Sequence, residues 1–215
     1  MKLYLVRHGE SKANFKKVHQ SALEPLSEIG KKQALFVAER FRNLPVDLVL
    51  TSPYTRARQT AEEIKTVVTA PVEVTDLLRE TRKPSAFVGK KLNDPSLSQA
   101  KTIMKQNSAD IGFRYADEDT FVEIRERANQ LLKFVLTKEK NYIILVTHGD
   151  FLRMVLSVMM FGNAVTPKEH QNVFSFYQTN NTGITICEYT KDKNWRLLTF
   201  NDHSHLEELL NPNFS

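Results

Sequence analysis

Short apolar runs alternate with stretches of helical periodicity along most of the chain. Lys2-Leu3-Tyr4-Leu5-Val6 is the first such run and predicts a buried strand. Val46 to Leu50, Pro71 to Val74 and Tyr142 to Val146 repeat the pattern as three further strands. Between them, Ala34, Val37, Ala38 and Phe41 fall at helical spacing after a Ser27 cap, and Pro45 stops that helix. Gly30 is an awkward residue so early in it. Ala57, Ala61, Ile64 and Val68 mark a second helix, and Phe121, Ile124, Ala128, Leu131 and Val135 a third. Phe151 to Met160 is a fourth, with Met159 and Met160 as packing residues. Strands alternating with helices predict a three-layer α/β/α sandwich with a mainly parallel sheet.

The last third changes pattern. Val173 to Tyr177, Gly183 to Glu188 and Trp195 to Phe200 read as three strands of a partly exposed antiparallel edge, with a turn at Asn180-Asn181. Residues 201–215 are polar and expected to fray, with Leu206, Leu209 and Leu210 as anchors of a short final helix. Residues 81–120 are irregular, broken by Pro84, Gly89, Pro95 and Gly112, with helices expected over 85–91 and 97–107. About 40 residues bury little core alone. The expectation is therefore one domain over 1–215, with 81–120 as a lid-like insertion over the strand ends.

Composition adds boundaries. The 215 residues are 41% apolar and 26% charged, which is ordinary for a folded domain. The net charge of +5 is scattered, without a basic tail or a stripe of interleaved aromatics and arginines, so no nucleic-acid partner is expected. No apolar run reaches the roughly 18 residues of a membrane span. The single cysteine, Cys187, fits a reducing compartment and reads as a buried small side chain. A strand that begins at residue 2 leaves no room for a secretion signal, so a cytoplasmic location is expected. The pattern marks no interface and sets no oligomeric state.

The candidate chemistry lies at strand ends. The first strand runs into Arg7-His8-Gly9-Glu10, and the fourth into Thr147-His148-Gly149-Asp150. Parallel strands would bring these groups, with Arg56 and Glu80, to one carboxyl edge. Arg7 and Arg56 suit phosphate oxygens, and a neutral imidazole of His8 suits nucleophilic attack. Glu80 suits proton transfer, and His148 donation to a phosphoryl oxygen. A metal site from His8, His148, Glu80 and Asp150 is the rival reading, although two arginines beside a cation are unfavourable. Gly9 and Gly149 are isolated and form no nucleotide loop. His19, His170, His203 and His205 read as surface residues.

Leu5-Val6-Arg7-His8-Gly9-Glu10-Ser11, followed by Asn14, resembles the signature of the histidine phosphatase superfamily, the branch that includes the cofactor-dependent phosphoglycerate mutases. Ser52-Pro53-Tyr54-Thr55-Arg56-Ala57-Arg58 is similar to its second motif, Leu78-Arg79-Glu80 to its strand-end carboxylate, and Val146-Thr147-His148-Gly149 to its second histidine. Pro25-Leu26-Ser27-Glu28-Ile29-Gly30 and Asn181-Thr182-Gly183-Ile184-Thr185 resemble further elements, in order over nearly the whole chain. The resemblance implies a phosphohistidine on His8. Arg7, Asn14, Arg56 and His148 would hold the phosphoryl oxygens, and Glu80 would protonate the leaving oxygen. No metal or other cofactor is implied.

Within that family, Phe15 to Gln20 and Glu80 to Ser85 depart from the mutase pattern, and the chain is short for that branch. A phosphatase open to water is therefore expected, acting on small phosphorylated metabolites with broad specificity. Phosphoglycerate mutase-type transfer and non-catalytic phospho-ligand binding are the alternatives. Lys12, Lys16 and Arg82, together with Lys83, would favour a multiply charged substrate. Phe113 and Tyr115, with Phe87, would instead line an apolar pocket.

Overall fold

A computed structural model describes residues 1–207. Its elements are β1 (Lys2–Arg7), α1 (Lys12–Lys16), α2 (Glu28–Glu39), β2 (Leu48–Thr51), α3 (Thr55–Lys65), β3 (Val72–Val74), α4 (Ser98–Gln106), α5 (Phe121–Thr137), β4 (Tyr142–Thr147), α6 (Gly149–Phe161), α7 (Pro167–Phe176), β5 (Ile184–Tyr189) and β6 (Trp195–Asp202). The six strands form one sheet in the order β3-β2-β4-β1-β5-β6. The first four are mutually parallel, while β5 and β6 join antiparallel. This is the expected α/β architecture, with a mixed sheet.

Alternation along the strands separates two cores. Leu3 and Leu5 of β1 pack with Leu131, Val135, Met154 and Val155 beneath α5 and α6. Tyr4 and Val6 face the other way, towards Val37 of α2, Phe41 just after it, and Ala61 and Ile64 of α3. The central strands are thus apolar on both faces, which is why they read as continuous runs. Cys187 is buried, as expected, and burial pushes its thiol up to about 12.

Several elements differ from the sequence reading. Residues 167–176 form α7, not a strand over Val173 to Tyr177. Thr166 caps it through a capping box with Glu169, and Pro167 opens it, so its start signal outweighs the β-branched and aromatic run that follows. The helix expected over 85–91 is a single 3₁₀ turn at Ser85–Phe87, beyond which Gly89 adopts φ 81°. The polar stretch after Ser11 contains α1, closed at Lys17 in the left-handed conformation. Leu206 ends a 3₁₀ turn at Ser204–Leu206 and is buried; Leu209 and Leu210 lie outside the described residues.

Gly30 has a reason to stand in the first turn of α2. A Cβ there would lie 1.9 Å from the Glu10 carbonyl oxygen, and one on Gly9 would lie 2.5 Å from that of Gly30. The two glycines let α2 rest directly on the loop that carries His8. Residues 81–120 have their own small cluster, in which Phe87, Leu97 and Ala100 pack with Met104. Asp119 ties the two ends of this segment together and to Arg79, which follows the 3₁₀ turn Asp76–Leu78. Its carboxylate accepts from both Nη atoms of Arg79, at 2.7 and 3.0 Å, and from Arg82 Nε at 2.8 Å.

Candidate active site

β1, β2 and β4 end side by side, with Arg7 opposite Thr147 and Thr51 opposite Val146. Their following loops converge, as strand order predicts. His8 leaves β1, Arg56 lies in the first turn of α3 after β2, and His148 caps α6 after β4. Each is at most 2% exposed, and the two imidazole centroids are 5.0 Å apart. A cleft of about 480 Å³ opens over His8 and Arg56, and Arg7, Asn14 and Glu80 also line it, while His148 is fully buried beside His8 and does not line it.

The imidazole of His8 is fixed on both sides. Its Nδ1 lies 2.6 Å from the Gly9 carbonyl oxygen, which can only accept. Arg56 Nε lies 3.1 Å from Nε2, and a guanidinium can only donate. The proton is therefore on Nδ1, and the lone pair is on Nε2. Burial, then the charges of Arg56 and Arg7, hold this ring well below the usual histidine pKa; Gly9 opposes them. Asn181, from the turn before β5, donates its amide to the His8 carbonyl at 2.8 Å.

His148 is held at one ring nitrogen. His148 Nε2 lies 2.8 Å from Ser52 Oγ, which also accepts from the Tyr54 backbone N–H at 3.2 Å. His148 Nδ1 is buried without a partner, and with the ring proton there it offers a donor. Arg7 Nε is also buried and unpartnered, while its Nη1 donates to the Thr179 carbonyl. Asn14 accepts from Ser11 N and Oγ through Oδ1, leaving its amide hydrogens as its unused end. Buried donors without partners are costly unless something arrives to accept from them. An anion with several oxygens would satisfy these together.

Glu80 accepts from the backbone N–H groups of Thr81, Phe151 and Asp150 at 2.9, 3.0 and 3.3 Å, and so sits at the N-terminus of α6. Those bonds and Arg56 favour its anion. Burial, and next the charge of Asp150, outweigh them and raise its pKa. Asp150 is itself held by Lys83 at 3.0 Å and Arg153 at 3.1 Å. Among the described residues, no group of three or more His, Cys, Asp or Glu side chains is placed to hold a metal ion.

Not every expected pocket residue reaches the cleft. Arg82 and Lys83 line it. Lys12 and Lys16 instead border a separate surface hollow with Phe15 and Ile29. Neither Phe113 nor Tyr115 lines the cleft, and Phe87 is enclosed in the 81–120 cluster. All four histidines read as surface residues are half-buried, and His203 Nδ1 lies 2.8 Å from the Asn201 carbonyl oxygen. His19 lines the cleft; His170 bonds Ser157 Oγ at 2.8 Å; His205 bonds Thr182 Oγ1 at 3.1 Å. Burial pushes both His170 and His205 down to about 4. Ser52, Tyr54 and Asn181 carry structural parts of the site that residue type alone does not announce, although all three fall inside recognisable motifs. Arg153 and His19 give no such signal.

Fold and site together define a histidine phosphatase, a phosphoric monoester hydrolase. The sequence model of the histidine phosphatase superfamily (branch 1) matches residues 3–203, and the chain belongs to that family. It is 28% identical to a probable phosphatase of Schizosaccharomyces pombe, over 96% of each chain. It is also 25% identical to a probable phosphoglycerate mutase GpmB of Citrobacter koseri, over 96% of this chain and 95% of that one. The fold matches a mutant phosphoserine phosphatase of Entamoeba histolytica, solved in complex with phosphoserine. The TM-score is 0.76, at 23% identity, over 95% of this chain and 98% of that one. No helix among the described residues is long and apolar enough to cross a membrane.

Proposed function

We propose that this chain is a metal-independent phosphomonoesterase that works through a phosphohistidine on His8 and accepts a range of small phosphorylated metabolites. The observation that carries this reading is the fixed tautomer of His8, whose Nε2 lone pair faces a guanidinium instead of a proton. A phosphoryl group entering there takes over the Arg56 donor, and Arg7, Asn14 and His148 supply the others. Nε2 then attacks phosphorus in line as the ester P–O bond breaks. Glu80 gives its proton to the departing alkoxide. In the second half, the Glu80 carboxylate takes a proton from water, which attacks phosphorus and releases His8 and inorganic phosphate. The fixed donors neutralise the transferred group throughout.

The cleft is wide enough for a metabolite beyond its phosphate and mixes polar with apolar lining, which supports broad specificity. Residues 81–120 act in this reading as a lid-like insertion, anchored through Asp119. A water-accessible cleft favours hydrolysis over mutase-type transfer to a second hydroxyl. The test is phosphate release from an aryl phosphate, with a chelator present, by the native chain and by His8→Ala. Release by the native chain alone is expected; release by both would end the covalent reading, and loss in chelator restored by a metal would end the metal-independent one.

A further inference from the structure

We infer that Arg127 is a positioning residue for Glu80, fixing the acid from behind through the peptide that precedes it and through Phe151. The inference rests on the phosphomonoesterase reading and extends it to a side chain outside the cleft.

Arg127 lies in α5, is 8% exposed and does not line the cleft. Its Nη1 donates to the Arg79 carbonyl at 2.5 Å and reaches the Leu77 carbonyl at 3.4 Å. The Arg79 carbonyl shares its peptide plane with the Glu80 nitrogen, so this bond sets the plane from which the Glu80 side chain departs. Thr147 Oγ1 donates to the Leu78 carbonyl at 2.9 Å. The successive carbonyls of Leu77, Leu78 and Arg79 are thereby held from α5 and β4, and Thr147 adjoins His148.

The guanidinium also bears on the acid from a second side. Its central carbon lies 4.0 Å from the centroid of the Phe151 ring, a cation–π contact. Phe151 N in turn donates to Glu80 Oε1 at 3.0 Å. Nε and Nη2 of Arg127 are buried and make no hydrogen bond, and the Asp119 carboxylate, 3.5 Å from Nη2, is already engaged by Arg79 and Arg82. An apolar side chain of that size would fill the space at lower cost, so packing alone does not account for an arginine there. The fork and the charge point to Glu80. Arg7 of β1, Arg56 of α3 and Lys83 favour the Glu80 anion, and Asp150 of α6 opposes it. Arg127 adds a cation from α5, where it also faces Arg79, Asp119 and Tyr54.

Arg127→Met keeps an unbranched chain over Phe151 without the charge or the donors. Arg127→Lys keeps the charge without the planar fork. Single-turnover phosphorylation by glycerol 3-phosphate and by an aryl phosphate reads the acid, because an aryl leaving group needs little protonation. Arg127→Met should lose about 10²-fold on the alkyl ester and far less on the aryl one. The alkaline limb for the alkyl ester should move to higher pH in Arg127→Met, where the anion has lost a cation, and should stay in place in Arg127→Lys. A loss selective for the alkyl ester supports the inference. Equal losses on both esters, which a merely structural role would give, overturn it, and so does no loss on either. If urea unfolding shows that Arg127→Met does not fold, Arg127→Lys is judged by the same ratio. If the native chain is phosphorylated by neither ester, the phosphatase reading fails. A carbon NMR titration of the Glu80 carboxyl in native chain and Arg127→Met then decides: a midpoint moved to higher pH in the variant supports the role of Arg127, and an unmoved midpoint overturns it.

Discussion

Arg56 donates through Nε to His8 Nε2 at 3.1 Å, between residues 48 positions apart in sequence. The same guanidinium donates through Nη1 to the Ser21 carbonyl at 2.9 Å, which fixes its plane. A buried cation is thereby aimed at the lone pair that would attack phosphorus.

Replacing Arg56 with Ala removes a donor to the phosphoryl group and exposes the tautomer of His8 to exchange. A loss of about 10²–10³ in kcat is expected. His8→Ala should lose turnover entirely and show no acid-labile, base-stable phosphohistidine on rapid quench, whereas the native chain should show it. A quenched native enzyme without such a species during turnover would refute the intermediate.

Glu80→Gln keeps the shape of the carboxyl group and removes its proton exchange. Alkyl phosphates have poor leaving groups and should lose about 10²–10⁴ in rate, while aryl phosphates should lose far less in the first half-reaction. Single-turnover phosphorylation on the two substrate classes checks this, and equal losses would remove Glu80 from the acid role.

The pH dependence follows from opposite shifts. Glu80 must be protonated to act as an acid, and its pKa is raised, so kcat for alkyl esters should fall as pH climbs through that raised value. His8 must be neutral, and burial with the charges of Arg56 and Arg7 holds its pKa well below normal, so no acid limb is expected in the usual histidine range. Asp150→Asn takes away the neighbouring negative charge that helps raise Glu80. The alkaline limb should therefore move to lower pH in that variant, as read from kcat profiles at saturating substrate.

Asp119 ties the 81–120 segment to Arg79, in the connection that leads from β3 to Glu80. Burial alone would raise its pKa, but the hydrogen bonds from Arg79 and Arg82 outweigh burial and bring it to about 2. Its contribution to stability is fully present above the unfolded carboxylate value and is lost as pH falls towards 2. Asp119→Ala should destabilise by about 3 kcal/mol at neutral pH and less under strong acid, as measured by urea unfolding.

The central strands and the groups at their ends could be read from the chain because one physical cause wrote them. A strand buried on both faces must be apolar throughout, and it must turn polar where it leaves the sheet. That made β1, β4 and the pair His8 and His148 conspicuous. The family motifs added Asn14, Arg56 and Glu80. The misreadings came where two causes compete. Val173 to Tyr177 has strand-like residue types, but the cap at Thr166 and the packing of Val173 make it helix. Lys12 and Lys16 are close to Asn14 in sequence, yet α1 turns them to the outer surface. His19 reaches the cleft only because residues 89–92 pair with its backbone, a tertiary contact that no local pattern records.

β1 lies between β4 and β5, so the strand that carries Arg7 and His8 has its two neighbours in residues 142–147 and 184–189. The Thr179 carbonyl holds Arg7, and the Asn181 amide holds His8. On a ribosome, the nucleophile would emerge first and wait for most of the chain before either partner strand exists. Catalytic competence would then be gained in one late step, and a nascent chain stalled before residue 180 would bind phosphate poorly although it already contains Arg7, His8, Arg56, Glu80 and His148.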